Sequence, residues 1–429
     1  MMKLFNQSNI NSIIFKFIIF FLIFISSCYF YLIFNNIVQI SSYAYNELFI
    51  NYQAGFIRRG LLGEIFWHLQ NISSIEPLIF FSTLFFILYL LQIYLFISIF
   101  KFLKKNYYVL LVIYFSPVLI LFPIYEPNLY FIKDIIIKLT ILFHALIIMN
   151  KFYGNDFKNY IKYLKIILIP ILSITILIHE YQVIFLSIHV LLSLTFVKSK
   201  NDMIRILKIY SLLLIPIVFV LIFIGNLEQY ENLKLILQKF EIVDLHPQLS
   251  GGFYKALGGF YKWHFYYFGY KDFVQLLSSL FLGIGVFFLL FHFMIEKKIL
   301  KFNNKYQRYY LYFFIPTLLS FLLALDHGRN ISLFATHLVA FYAVLNLDQN
   351  KLTIIKNKIS KNFLLKCFLI IFLFFYIFMW RLDQMAGFGG ARQVNTIFQS
   401  SIFAEFINFI KFIYTYIDSN IIDLPNINL

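Results

Sequence analysis

The sequence predicts an all-α fold, a polytopic bundle of about eleven transmembrane helices with a cytoplasmic N-terminus. Three observations predict it. Hydrophobic residues make up 61% of the chain and charged ones 13%, with a mean hydropathy of +0.80. A soluble domain carries roughly 25% charged residues, so lipid must serve as solvent for much of this surface. Apolar runs able to cross ~30 Å of hydrocarbon recur along the whole length. Lysines gather in every second loop between those runs, which the positive-inside rule converts into an orientation.

Taken in order, the runs fall near 13–36, 77–100, 107–124, 133–150, 163–178, 181–197, 206–225, 273–295, 309–325, 330–347 and 362–380. The first exceeds the roughly 7–15-residue core of a cleavable signal and is read as a retained span. Lys101, Lys104 and Lys105 follow the second run, and Lys151, Lys158, Lys162 and Lys165 follow or flank the fourth. Lys198, Lys200, Arg205 and Lys208 follow the sixth, Lys297, Lys298, Lys301, Lys305 and Arg308 the eighth, and Lys351, Lys356, Lys358 and Lys361 the tenth. These loops are assigned to the cytoplasm. The tail 400–418 reads as an interfacial helix or a twelfth span, and Glu405 and Lys411 favour the interface. Residues 1–429 thus form one integral membrane domain, with outer segments at 38–75, 226–272 and 381–429.

The net charge of +16 follows from those lysine-rich loops, so it argues for a membrane protein and against a nucleic-acid partner. Cys28 and Cys367 lie inside apolar runs and read as small hydrophobes, not as a disulfide framework. The bias toward Ile, Phe, Asn, Lys and Tyr fits an AT-rich genome. In such an alphabet lysine is the default cation, and arginine is the selective choice.

Arginine breaks the topological rule that lysine obeys. Arg58, Arg59, Arg329, Arg381 and Arg392 fall in outer segments. A guanidinium fork suits bidentate binding of phosphate or carboxylate and stays charged when partly desolvated. The first outer loop sets Arg58 and Arg59 between Gly55 and Gly60, with Glu47 upstream. Backbone amides and guanidinium groups can converge there on an anion, or the segment is an interfacial helix with snorkelling arginines. His179-Glu180 sits at the outer tip between the fifth and sixth runs, as a candidate acid–base pair or as a cap closing the hairpin. Asp326-His327-Gly328-Arg329-Asn330 occupies the corresponding tip between the ninth and tenth runs, where an internal Asp–Arg bridge is the plainer reading.

His144, His189, His292 and His337 lie within runs, and each reads as a core or interhelical hydrogen bond. In 226–272 a Gly-Gly-Phe-Tyr-Lys unit begins at Gly251 and again at Gly258, followed by Trp263-His264. Its aromatics suit stacking on sugar faces or an interfacial belt. Asp244, His246 and His264 lack the compact spacing of a metal site, so neither a metal nor an organic cofactor is expected. The first-loop arginines, His179-Glu180, Asp326-His327-Arg329 and Trp380-Arg381 come from four distant places, yet lysine-based topology puts all of them outside.

With its long outer loop carrying Glu47 and Arg58-Arg59 and its short hairpins with charged outer tips, the chain resembles multi-span enzymes of bacterial surface-polysaccharide assembly. It is similar in architecture to GT-C-type polyprenol-phosphate-sugar glycosyltransferases and to Wzy-type O-antigen polymerases. The GT-C resemblance implies a catalytic carboxylate in the first outer loop, Glu47 or Glu64 here. The Wzy-type resemblance implies functional outer arginines and a large outer loop, matching Arg58, Arg59 and 226–272.

The expectation is glycosyl transfer from a polyprenyl-(pyro)phosphate-linked donor to a glycan or lipid-linked acceptor, at the outer face of a bacterial inner membrane. Arg58, Arg59, Arg329 and Arg381 are expected to hold phosphate. Glu47, Glu180 or Asp326 would deprotonate the attacking hydroxyl, oriented by His179 or His327. The donor's lipid tail would enter from the membrane lipid between helices. The rivals are a transporter or flippase of an anionic glycolipid and a non-catalytic membrane subunit.

Overall fold

A computed structural model describes residues 7–34, 45–100, 107–125, 130–151, 157–194, 199–223, 225–238, 277–287 and 327–344, with isolated positions at 197, 364, 367, 368, 371, 372 and 376. Among the described residues the secondary structure is helical, with no strand. The elements are α1 (Gln7–Phe34), α2 (Leu61–Ser73), α3 (Pro77–Phe100), α4 (Tyr107–Tyr114), α5 (Phe122–Tyr125), α6 (Asp134–Lys151), α7 (Phe157–Ile178), α8 (Gln182–Leu194), α9 (Lys200–Ile222), α10 (Leu227–Leu237), α11 (277–287) and α12 (His327–Val344). Three of them, α3, α7 and α9, are long and apolar enough to cross a membrane. The predicted run 309–325 and the tail 400–418 lie outside the described residues.

Prolines account for most of the irregularities. Pro77 opens α3 at its first position, where its missing N–H costs nothing. In α7 the helix widens to π geometry over Leu164–Leu168, directly before Pro170, whose ring would otherwise meet the carbonyl of residue 166. In α9 a 3-10 turn at Ser211–Leu213 serves the same purpose for Pro216. Pro117 has a larger effect. The sequence predicts an unbroken helix over 107–124, but α4 stops at Tyr114 and turns follow to Leu121. Proline removes a donor and disfavours helical geometry in the residue before it, here Ser116.

Non-helical backbone in an apolar bundle must find partners inside the protein. This segment does. The Tyr89 hydroxyl donates to the carbonyl of Ile120, and Ser332 Oγ donates to that of Val118 at 2.6 Å. Ser116 Oγ lies 2.9 Å from the Tyr376 hydroxyl. The whole stretch from Phe115 to Pro123 is buried.

Helix α6 sits at the centre, packed on α3 along one side and α12 along another. It is buried nearly all round, as an interior helix should be. Apolar side chains facing outward on α1, α3 and α9, such as Phe20, Ile87, Ile215 and Ile222, leave broad exposed hydrophobic surface.

Before α2 the chain runs through a 3-10 turn, Glu47–Phe49, and a tight loop fastened by Glu64. The Glu64 carboxylate accepts from the Tyr52 backbone N–H and the Gln53 side chain, both at 2.8 Å. Gly63 permits this fold-back, because a Cβ there would stand 2.1 Å from the carbonyl oxygen of Ile50. The loop also meets the end of α9, where the Arg58 N–H donates to the Phe223 carbonyl at 3.0 Å.

Candidate functional site

Four distant segments meet in one charged network: the first loop, the start of α6, the link between α7 and α8, and the first turn of α12. Arg59 is its hub. Its Nε donates to both oxygens of Glu180, at 2.8 and 2.7 Å, and Nη2 donates again at 2.5 Å. Its Nη1 donates to Glu47. Arg58 Nη1 lies 3.6 Å from Glu180.

The hub is held in an uncommon conformation. Arg59 has φ +67°, the left-handed region that non-glycine residues rarely occupy. Such a residue costs on the order of 1–2 kcal/mol and persists only when its surroundings over-determine it. Lys133 supplies much of that constraint. It is wholly buried, and its ammonium donates to the backbone carbonyls of Glu47 at 3.0 Å and Arg59 at 2.9 Å.

Asp134 begins α6, where a carboxylate also complements the helix dipole. Arg329 donates to it twice, Nε to Oδ2 and Nη2 to Oδ1, both at 2.9 Å. His179 joins the two halves. Its Nδ1 lies 3.3 Å from the Tyr181 backbone nitrogen and 3.8 Å from Glu180 Oε2, and its Nε2 faces Asp134 Oδ1 at 3.2 Å. Arg329 Nη2 lies 3.4 Å from the same nitrogen. Alongside, the Tyr181 hydroxyl donates to Asn330, and one turn deeper Lys138 donates to Ser332 Oγ at 2.7 Å.

Among the described residues the network holds five cations, Arg58, Arg59, Lys133, Lys138 and Arg329, and three carboxylates, Glu47, Asp134 and Glu180. Three of the cations are guanidinium groups, whose planar fork suits the oxygens of a phosphate as well as those of a carboxylate.

The same cations set the acidities. Burial alone would raise the Glu47 carboxyl, but Arg59, and beyond it Lys133, His179 and Arg329, hold it at about 2. Glu180 is raised by burial and lowered further by Arg59 and Arg58, ending well below the usual carboxylate range. Both groups are therefore stabilised as anions. Their contribution to stability is complete above the unfolded value near 4.5 and is lost as pH falls toward the folded values. Thermal unfolding in detergent is accordingly expected to be flat from about pH 5 to 8 with respect to these groups and to weaken steadily below about pH 4.5. A melting temperature that rises on acidification through that window would contradict the pairing.

Of the residues singled out in the sequence, Glu47, Arg58, Arg59, His179, Glu180 and Arg329 meet in this network. Arg329 lies inside the first turn of α12 and pairs with Asp134 of α6, while the Asp326–Arg329 bridge considered from the sequence falls on Asp326, outside the described residues. Asp326 and Arg381 lie outside the described residues, as does the side chain of His327 at the start of α12. Sequence reasoning missed Lys133, Asp134 and Lys138. A Lys-Asp pair at a span end followed by a lysine one turn inside was the available signal, since an ionisable group within a span needs a reason.

The buried histidines have local partners. His144 lies 3.1 Å from His189 and 3.0 Å from the Tyr160 hydroxyl, and His337 Nδ1 donates to the Leu333 carbonyl at 2.7 Å. His292 lies outside the described residues. No family model, no curated protein and no solved structure matches this chain.

Proposed function

We propose that the protein is a membrane-embedded glycosyl-transferring enzyme of cell-surface polysaccharide assembly. It spans the bacterial inner membrane about eleven times, with its N-terminus inside and the charged network at the outer face. Its donor is a sugar or oligosaccharide on polyprenyl (pyro)phosphate, and its acceptor a glycan or lipid-linked glycan. The observation that carries this reading is the convergence of Arg58, Arg59 and Arg329 with Glu47, Asp134 and Glu180 in one cluster built from four distant segments.

In the proposed reaction, the donor phosphate takes up guanidinium donors of Arg58, Arg59 and Arg329. An acceptor hydroxyl attacks the anomeric carbon, its proton passes to a carboxylate, and the anomeric C–O bond breaks with its electron pair leaving on the phosphate. Glu180 and Glu47 are weak bases while the arginines hold them. A phosphate that draws Arg59 away removes the lowering influence and leaves the effect of burial, so the carboxylate becomes basic only when donor is bound. His179, tethered to Asp134 and 3.8 Å from Glu180, positions Glu180. Asp326 and His327 keep their proposed roles as a second base and its orienting group, and Arg381 as a further phosphate ligand.

One observation favours a second reading, a transporter or flippase of the same anionic glycolipid. Broken helices near a polar site are common in transporters, and the Phe115–Leu121 break lies beside Lys138 and Ser332.

The test is the surface-glycan profile of a deletion strain complemented with wild type, Arg58→Lys or Glu180→Gln at matched expression. Failure of the well-expressed variants to restore the profile supports the site. Full restoration by both overturns it, and intact glycans in the deletion strain overturn the polysaccharide assignment itself.

A further inference from the structure

Beneath Arg329 the network opens into a small pocket between α3, the broken segment and α6. Its polar lining is Gln92, Tyr130, Asp134, Lys138 and Arg329, and Phe122 forms part of the apolar wall. The cavity is about 20 Å³, room for one water-sized group. Gln92 decides what that group is. It is completely buried, and neither its amide oxygen nor its amide nitrogen has a hydrogen-bond partner among the described residues. Leaving both ends of a buried amide unmade costs roughly 1–3 kcal/mol per atom. A leucine would have been the cheaper choice in an apolar helix. The surroundings are built to stay open: Tyr89 and Ser332 secure the backbone of the break, and Lys138 is fixed by Ser332 and lies 5.2 Å from the centre of the Phe122 ring.

We propose that this pocket seats the hydroxymethyl group of a hexose residue of the substrate, making Gln92 a specificity-determining residue. The inference rests on the glycan reading above and names a substrate feature within it. A hydroxyl both donates and accepts, so one such group satisfies the amide oxygen and the amide nitrogen together. Its methylene lies against the apolar wall. A whole ring is too large, and an apolar group would leave the amide unmet. Asp134 and Arg329 belong to both the pocket and the charged network, so a sugar held at the network reaches the pocket with one exocyclic group.

The experiment uses the full-length protein in lipid nanodiscs and two pairs of probes that differ only by the hydroxymethyl group. These are octyl glucoside against octyl xyloside, and octyl galactoside against octyl α-L-arabinopyranoside. A short prenyl diphosphate is titrated separately. In at least one pair the hexoside is expected to bind about ten-fold tighter, the worth of one or two net hydrogen bonds. Gln92→Leu and Gln92→Met are expected to erase that preference and to raise the melting temperature of the ligand-free protein. Equal binding within both pairs, or a preference that survives both substitutions, overturns the proposal. Prenyl diphosphate binding that persists in either case leaves the glycan reading standing. Loss of that binding alone, with the hexoside preference intact, removes the phosphate site and keeps the pocket.

Discussion

Arg59→Met is expected to destabilise the protein by about 3–5 kcal/mol, the cost of stranding buried carboxylates without their cation. Two are affected at once, since Arg59 serves both Glu47 and Glu180, and Arg58 stays 3.6 Å from Glu180 without the close hydrogen bonds that Arg59 makes. Thermal unfolding in detergent reads the effect, as does the amount of protein reaching the membrane. Combining Arg59→Met with Glu47→Gln and Glu180→Gln should recover part of the stability without recovering glycan assembly. That recovery separates the electrostatic cost from loss of packing. Arg59→Lys keeps the charge but not the fork, because one ammonium cannot reproduce the three hydrogen bonds to Glu180 while reaching Glu47. It is expected to fold and to fail in function. An Arg59→Met protein as stable as wild type would show that the network contributes little to the fold.

Asp134→Asn is the second large effect, expected at about 3 kcal/mol or more. It removes the carboxylate charge that Arg329 grips twice and that faces His179 Nε2 at 3.2 Å. The substitution is nearly isosteric, so the change in melting temperature reports charge and hydrogen bonding, not volume. Pairing it with Arg329→Met should be less damaging than either single change, because the two buried charges are then removed together. Additive losses would mean that the pair is not a functional unit of the fold.

The helices were legible because apolar runs report themselves: the run 77–100 coincides with α3, and 163–178 and 206–225 lie mostly within α7 and α9. The break after Tyr114 was not read, although Pro117 carried the signal, because Val, Ile and Leu continue on both sides of it and a hydropathy window passes over a single proline. The site was half legible. Arg58, Arg59 and Glu180 stood out as charges where the lysine pattern left few. Asp134 and Lys133 did not, because charged residues at a span end are ordinary until a partner is known, and Arg329 lies 195 positions beyond Asp134. The pairs of Arg59 with Glu180, Arg329 with Asp134 and His179 with Asp134 are long-range, because helix ends that stack at one level of a bundle bring together residues remote in sequence; the neighbours His179 and Glu180 also meet, at 3.8 Å.

We propose that the charged network serves glycan transfer at the outer face and does not move a lipid between leaflets. The most direct test is where lipid-linked glycan accumulates in cells lacking the protein, read by its oxidation with impermeant periodate before and after permeabilisation. A transferase at the outer face predicts accumulation in the outer leaflet, oxidised in intact cells, and the same accumulation in cells carrying only Glu180→Gln. A pool protected until the membrane is opened, or no accumulation at all, would contradict the account.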